Sequence, residues 1–181
     1  MCNSFNKKFL DEAAKAKQKT PNDAHDIHEH FMGEAINCAI NGVNNNDGGP
    51  FGCVIVKNGK IIGKGNNKVT STNDPTAHAE VEAIRNACNH LDSFQLTGCI
   101  LYTSCEPCPM CLGAIYWARP EKVYYGCDKK DAANIGFDDE FIYKELQLPN
   151  QKKMVGFEQI SRKEALIAFK NWEVKEDKIK Y

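Results

Sequence analysis

The chain has 181 residues, a length typical of one domain that buries its own hydrophobic core without cross-links. Its 23 basic and 24 acidic residues give a formal net charge of −1, and no basic tract is concentrated anywhere along it. This balance disfavours nucleic acid as the main substrate and favours a small neutral molecule. No apolar run approaches the ~20 residues that a membrane-spanning helix needs, so we expect no insertion into a membrane.

Nine cysteines raise the question of a disulfide framework. Their odd number, the length of the chain and the lack of a signal-peptide pattern argue against one. We therefore expect free thiols and a cytoplasmic location, where the medium is reducing. The cysteines outside the motif described below lie mostly in apolar patterns, and we interpret them as small hydrophobic residues.

Residues 1–24 are polar and rich in lysine, and we expect an N-terminal extension there, followed by one domain over residues 25–181. Apolar residues recur at helical spacing across residues 27–43, which predicts an amphipathic helix. Three histidines near the start of this helix are interpreted as solvated surface groups rather than as metal ligands. They are His25, His28 and His30.

A β-hairpin is predicted after this helix. Residues 51–56 and 60–64 are the two strands, because Asn58-Gly59 between them is a strong signal for a two-residue turn. Further strands are predicted at residues 99–103 and 123–126, each preceded by a helix. Alternation of strand and helix indicates parallel pairing through right-handed crossovers.

A weaker strand at residues 155–160 and a helix over residues 161–174 complete the predicted elements. The expected fold is an α/β domain of three layers, α/β/α, with a mixed five-stranded central sheet. Helices cover both faces of this sheet.

His78 and Glu80 open the part of the chain that carries chemistry. Asp74 is predicted as the N-cap and Pro75 as the first residue of a helix that runs to about Cys88, which puts His78 and Glu80 in its first turns. Residues two apart do not share a helix face, so we interpret Glu80 as a carboxylate beside a metal rather than as a ligand. Such a group can accept and return a proton near neutral pH.

Cys108 and Cys111 supply two more metal ligands. Cys108 and Pro109 are predicted to open a helix that ends at Ala118, so the two sulfurs, three residues apart, face one ion. Together with His78 they form the nitrogen and sulfur set that zinc prefers, and three protein ligands leave the fourth position for water. We therefore predict a Zn²⁺ site with an open position, which is suited to catalysis.

Two other interpretations of these cysteines stay open at this point. Cys-x-x-Cys also occurs as a redox pair, and Cys105 with Cys108 repeats the same spacing. If Cys105 also binds the metal, the site is closed and purely structural, and the protein is a zinc-stabilised binding module without catalysis. Glu80 favours the catalytic interpretation, because a structural site needs no free carboxylate beside its metal.

His-x-Glu followed by Pro-Cys-x-x-Cys is the pattern of the zinc-dependent nucleobase deaminases. With the segments around it, the chain resembles the cytidine deaminase superfamily and, within it, the bacterial-type guanine deaminases. The resemblance is strong over residues 28–145 and weaker towards the C-terminus. The matching segments are residues 49–52, 67–69, 73–80, 101–119 and 136–139.

This resemblance implies roles for four further residues. Asn67 would bind the purine edge and Phe51 would stack against the base, while Asp139 would recognise the purine or carry a proton. It also implies a homodimer in which the segment of about residues 161–181 is exchanged between subunits, so that the terminal Tyr181 covers the active site of the partner.

The activity implied by the resemblance is hydrolytic deamination of guanine to xanthine and ammonia. His78, Cys108 and Cys111 would hold Zn²⁺, and Glu80 would transfer protons. Guanosine deamination and tRNA adenosine deamination are alternatives with the same zinc chemistry. The partner expected from all these features is a small purine, with neither nucleic acid as the main substrate nor a membrane.

Overall fold

The structure is a computed structural model that describes residues 24–180. Most of the predicted N-terminal extension, and Tyr181, lie outside the described residues. The helices are α1 (Ala24–Asn44), α2 (Val69–Thr72), α3 (Ala79–Leu91), α4 (Pro109–Ala118), α5 (Lys129–Asn134), α6 (Glu140–Gln147) and α7 (Arg162–Val174), with a 3₁₀ turn at Asn150–Lys152. The strands are β1 (Gly52–Lys57), β2 (Lys60–Asn66), β3 (Cys99–Cys105) and β4 (Lys122–Cys127).

The four strands form one mixed sheet in the order β2-β1-β3-β4. Strand β1 pairs antiparallel with β2 and β3, whereas β3 and β4 are parallel and are joined by α4. The α/β class and the mixed sheet are therefore confirmed. The turn between β1 and β2 also forms as predicted, since Asn58 and Gly59 both have positive φ, 50° and 71°, as a hairpin turn of type I′ requires.

A fifth strand at residues 155–160 does not form in the described part of the chain. This segment has no regular secondary structure and pairs with no strand, and its apolar side chains are exposed. The prediction rested on local apolar and β-branched character, but a strand also requires a neighbouring edge to pair with, and that is a tertiary property. The helix predicted to follow it does form, as α7.

Alternate residues of the buried strand β1 serve two separate cores. Cys53 and Ile55 face the layer of α3 and α4, where they pack with Ala83, Leu101 and Ile115. The intervening residues Val54 and Val56 face α1 on the other side of the sheet. They pack there in a cluster with Phe31, Ala35 and Tyr102. The sheet is thus covered by helices on both faces, as the three-layer prediction required.

His28 departs from its predicted role as a solvated group. Its ring is half-buried beneath α1, where Nδ1 lies 2.7 Å from the hydroxyl of Tyr102 and Nε2 lies 3.0 Å from the hydroxyl of Tyr124. These partners could not be predicted from the sequence, because both tyrosines come from strands more than seventy residues away. His28 therefore ties the first turns of α1 to the back of the sheet.

Two glycines allow helices to lie unusually close to the sheet. A Cβ atom on Gly65 of β2 would lie 2.2 Å from the carbonyl oxygen of Ala79, and one on Gly52 of β1 would lie 2.2 Å from the carbonyl oxygen of Ala35. Real Cβ atoms do not approach backbone oxygen that closely, so neither position accepts a larger residue without movement of the helix. Gly65 therefore fixes where α3 begins, and this is the helix that carries Glu80.

None of the helices in residues 24–180 combines the length and the apolar character that a bilayer crossing requires.

Candidate metal and substrate site

The three predicted metal ligands lie at the starts of two helices, but one helix begins later than predicted. Asp74 does not cap α3. Its carboxylate instead accepts hydrogen bonds from the backbone N–H and the hydroxyl of Thr76, at 2.8 and 2.7 Å, and forms a local turn. The helix begins at Ala79, with His78 as an extended N-cap residue, so the predicted start at Pro75 was wrong.

Helix α4 begins as predicted. Cys108 is its extended N-cap residue, Pro109 follows in the first turn, and Arg119 ends the helix in a left-handed conformation. Cys111 is the third residue of the helix, within its first turn, and is buried. The two ligand-bearing helices therefore present a cap histidine, a cap cysteine and a first-turn cysteine to one point.

Three candidate donor atoms converge there. His78 Nδ1 lies 3.6 Å from Cys108 Sγ and 3.4 Å from Cys111 Sγ, and all three donors lie within 4.8 Å of one another. Two sulfurs and one imidazole nitrogen at these separations fit a tetrahedral zinc ion, whose bonds are ~2.0–2.3 Å long. His78 and Cys108 also line a cavity, and no fourth His, Cys, Asp or Glu of the described residues joins this donor group.

The protonation of these groups is coupled. The pKa of Cys108 is lowered to about 4, first because the Cys111 thiol donates to it and further because His78 lies beside it. For the same reason the pKa of Cys111 is raised, since it holds the shared proton, and burial raises it further. Contact with Cys108 also raises the pKa of His78. A bound divalent cation would release these protons, because zinc requires both thiolates and a neutral imidazole.

Cys105 is not part of this donor group. Its thiol donates to the carbonyl oxygen of Asp128, with 3.6 Å between sulfur and oxygen, and burial raises its pKa to about 11. A thiol with that pKa and that partner is a poor ligand near neutral pH. The described residues thus favour the open three-ligand site over a closed site with three cysteines.

Glu80 is buried in the first turn of α3, beside the donor group. Burial raises its pKa above the ordinary value of 4.5, because a carboxylate loses hydration there. Its Oε1 accepts a hydrogen bond of 3.1 Å from the hydroxyl of Thr103, a buried residue of β3. The geometry agrees with a carboxylate that is close to the metal position without being one of the three donors.

Asn67 lies on the wall of a cavity of about 390 Å³ that also contains His78, Glu80 and Cys108. Its side-chain oxygen accepts hydrogen bonds from the backbone N–H groups of Gly49 and Val69, both at 3.2 Å. These two hydrogen bonds hold the loop around Gly49 and the start of α2 against Asn67. The amide nitrogen has no acceptor among residues 24–180 and is free to donate to a ligand.

Two aromatic rings form another part of the wall. Phe51 and Phe137 meet edge to face, with ring centroids 5.0 Å apart and planes at 88°, and both line the cavity. Such pairs hold each other in place by ~0.5–1.5 kcal/mol beyond the area they bury. Phe137 comes from the loop between α5 and α6, so this contact joins that loop to the start of the sheet.

Asp139 also lines the cavity, and its side chain is not used to cap α6. The carboxylate of Asp138 takes that role by accepting a hydrogen bond of 2.9 Å from the backbone N–H of Glu140. Burial raises the pKa of Asp139, and the nearby Cys108 raises it further. Asp139 is thus a carboxyl group of the cavity wall whose side chain forms no hydrogen bond that caps the helix.

Sequence reasoning missed three residues of this site. Thr103 gave no signal because threonine is common in strands. Glu106 and Lys129 also line the cavity, where the Lys129 ammonium lies 5.0 Å from the ring centroid of Tyr143. Charged residues in loops are usually solvated, so only the position of Glu106 within the cysteine motif offered a hint.

Comparison with known proteins agrees with this site. Residues 25–127 match the family described as the cytidine and deoxycytidylate deaminase zinc-binding region. The chain is 58% identical over 145 residues to a guanine deaminase of Bacillus subtilis (strain 168), an alignment that covers 80% of this chain and 93% of that protein. It is 50% identical over 82 residues to a tRNA-specific adenosine deaminase of Aquifex aeolicus (strain VF5), covering 45% of this chain and 54% of that protein.

Among solved structures, the X-ray structure of guanine deaminase from Bacillus subtilis is similar with a TM-score of 0.83 and 56% sequence identity. The match covers 85% of this chain and 98% of that chain. The residues matched by the family model include His78, Cys108 and Cys111, and the matched solved structure has the same fold. The chain belongs to the cytidine and deoxycytidylate deaminase family of zinc-binding proteins.

Proposed function

We propose that this chain is a zinc-dependent guanine deaminase, which hydrolyses guanine to xanthine and ammonia. The observation that carries the proposal is the position of Glu80, His78 and Cys108 on the wall of one cavity, with the buried Cys111 in the same group of candidate donors. The volume of about 390 Å³ is at the small end of the range of ligand pockets and suits one small heterocycle. Similarity to a guanine deaminase over most of both chains supports guanine as that heterocycle.

His78, Cys108 and Cys111 would hold the zinc ion. When bound, zinc lowers the pKa of a water from ~16 to roughly 7 and so makes hydroxide available at neutral pH. Glu80 accepts the proton that the attacking water loses and delivers it to a ring nitrogen of guanine, and a second transfer allows ammonia to leave. Burial suits Glu80 to this task. A raised pKa means that the carboxylate accepts the proton of the water more readily, and that its protonated form is present to pass that proton to the ring nitrogen.

Three further residues would bind the base. Asn67 donates from its amide nitrogen to an acceptor on the purine edge, since its oxygen is engaged by two backbone groups. Phe51 offers its ring for stacking and is supported from the side by Phe137. Asp139 provides a further carboxyl group, which recognises a donor on the purine or takes part in the second proton transfer.

We also propose that the protein is a homodimer that exchanges the segment of about residues 161–181, so that Tyr181 of each chain closes the active site of the other. Helix α7 is exposed on nearly all sides, although it carries large apolar residues such as Phe169 and Trp172. A single copy gains little by ordering such a helix in solvent. Light scattering coupled to gel filtration should give twice the mass of the chain, and an active monomer would contradict exchange.

A cytoplasmic location is part of the same proposal. The eight cysteines of residues 24–180 are all free thiols, and two of them must remain reduced to bind zinc. Recovery of active, zinc-loaded protein from the periplasm of a producing cell would contradict this requirement.

The test of function is release of ammonia by the purified zinc-loaded protein from a panel of guanine, guanosine, cytosine and tRNA. We expect turnover of guanine and little or none of tRNA. A higher kcat/KM for guanosine than for guanine would identify the nucleoside, rather than the free base, as the substrate. Absence of turnover with every substrate, together with a zinc ion held by four protein ligands, would favour a structural zinc module.

A further inference from the structure

Three polar side chains are buried among residues 24–180, and all three lie at the candidate site. They are Asn67 at 5% exposure, Glu80 at 6% and Thr103 at 1%. The proposed function gives tasks to Asn67 and Glu80 and none to Thr103, which is the most deeply buried. A buried hydroxyl is unfavourable unless it forms a hydrogen bond, so the environment of Thr103 should show what it does.

Thr103 is held firmly by the sheet. It lies on β3 between two neighbouring strands, with Cys53 as its Cα partner on β1 and Tyr125 as its partner on β4. Its side chain projects to the face that carries α3. A β-branched side chain on a central strand has few rotamers, so the hydroxyl has a well-defined direction.

The hydroxyl is directed at Glu80. Thr103 Oγ1 donates to Glu80 Oε1 over 3.1 Å, across the boundary between the sheet and α3. Valine has nearly the same shape and would fill this position without a buried polar atom. The packing alone therefore does not explain a threonine here, whereas the carboxylate does.

The importance of this bond increases once zinc is present. The Cys111 sulfur also lies within hydrogen-bonding reach of Glu80. A cysteine that binds zinc does so as a thiolate, which has no hydrogen to donate. Thr103 then remains the side-chain donor to Glu80 among the described residues.

We propose that Thr103 is a positioning residue that orients the Glu80 carboxylate for proton transfer. The hydroxyl fixes Oε1, and Oε2 is left to accept the proton of the attacking water and to pass it to the substrate nitrogen. This inference rests on the proposed function for its reaction. It concerns the direction of the carboxylate and not the binding of metal or of base.

The test compares Thr103→Val, which removes the hydroxyl at nearly constant shape, with Thr103→Ser, which keeps the hydroxyl and loses the methyl group. We expect Thr103→Val to lower kcat for guanine about 10- to 100-fold, because a misplaced catalytic group loses much of its effect. KM and zinc content should stay close to the wild-type values. Thr103→Ser should keep kcat within about threefold of the wild type.

Three outcomes would overturn the proposal. They are equal kcat in Thr103→Val and wild type, equal losses in the valine and serine variants, and a valine variant that fails to fold while the serine variant folds. The first removes any role for the hydroxyl in the reaction, the second assigns Thr103 to packing, and the third makes the hydroxyl a requirement of folding rather than of carboxylate orientation.

A second readout does not depend on activity. Thr103→Val should lower the Tm more in the wild-type protein than in Glu80→Gln, because a hydrogen bond to a carboxylate is stronger than one to an amide oxygen. Equal changes in Tm would overturn the proposal. If the wild type releases no ammonia from guanine, the proposed function fails, and the difference in Tm still decides whether Thr103 acts on Glu80.

Discussion

Residues 52–127 and residues 128–180 differ in how they treat their apolar side chains. In the first region, the strands β1 and β3 are buried between helices, and the ligand-bearing helices pack on the sheet. In the second region, large apolar side chains are exposed, among them Met154 at 79% and Phe169 at 72%. The two regions nevertheless meet in one cavity.

This difference separates two tasks of the site. The first region fixes the donors and Glu80 on packed secondary structure, which suits groups that must hold their geometry during a reaction. The second region contributes Phe137 and Asp139 from a loop and a helix start. We therefore expect substitutions of the donors and of Glu80 in the first region to act on metal and rate, and substitution of Phe137 in the second region to act on substrate binding.

The largest effect is expected at Cys111. Cys111→Ser removes a thiolate ligand, so zinc content should fall to a small fraction of the wild-type value and turnover should fall by about 10⁴-fold. Cys105→Ser is the matched control, because serine can still donate to Asp128 and the three donors remain. Elemental analysis measures the metal, and loss of zinc in Cys105→Ser would mean that this residue is a ligand.

Glu80→Gln should lower kcat by about 10³-fold while zinc content stays unchanged. Glutamine keeps an oxygen that accepts the hydrogen bond from Thr103, so the shape of the site is preserved, but it cannot accept the proton of the attacking water. Steady-state release of ammonia measures kcat. Activity close to that of the wild type would remove Glu80 from the mechanism.

The same variant should be more stable than the wild type at neutral pH when both are metal-free. Burial raises the pKa of Glu80 above 4.5, so its contribution to stability is fully present below pH 4.5 and is lost as the pH rises through the raised pKa. Glutamine has no charge to bury. The difference in Tm should therefore grow between pH 4.5 and neutrality, and a difference that stays constant would contradict this cause.

Gly65→Ala tests the link between close packing and the metal. The added Cβ atom would collide with the carbonyl oxygen of Ala79, so we expect a loss of about 1–3 kcal/mol in the free energy of unfolding and weaker zinc binding as α3 shifts. Gly33→Ala in α1 is the control, because nothing lies within 4 Å of its added Cβ. Denaturant unfolding and zinc titration measure the two effects, and equal behaviour of the two variants would contradict the argument.

Phe137→Ala should have the smallest effect and should change binding rather than rate. Loss of its edge contact with Phe51 removes about 0.5–1.5 kcal/mol, which corresponds to a rise in KM of about 2- to 10-fold with little change in kcat. Met154→Ala, at an exposed position in the same region, should leave both constants unchanged. A fall in kcat with constant KM would contradict the assignment of Phe137 to substrate binding.

The comparison also explains which features the sequence revealed. The donors His78, Cys108 and Cys111 follow from the chemistry of their side chains at a fixed spacing, and the hairpin follows from the local preference of Asn58-Gly59 for positive φ. These signals are local. Predictions from such signals hold in the folded protein, because they depend on few neighbouring residues.

The errors have the opposite character. Asp74 has the features of a helix cap, but its hydrogen bonds with Thr76 close a turn before α3 begins. The segment 155–160 has the composition of a strand and lacks an edge to join. Thr103 has no signal in the sequence, because its partner lies 23 residues away on a helix. Each depends on a tertiary neighbour that spacing and propensity do not specify.

The low pKa of Cys108, about 4, has a consequence for handling the protein. Such a lowered pKa favours the thiolate form of this sulfur near neutral pH when no ion is bound, and the side chain is only partly shielded from solvent. Anionic sulfur is the form that alkylating agents and peroxides attack. Iodoacetamide or hydrogen peroxide should therefore modify Cys108 much faster in chelator-treated protein than in zinc-loaded protein, measured by the activity that returns when zinc is restored, so a bound ion would also protect this sulfur from chemical damage.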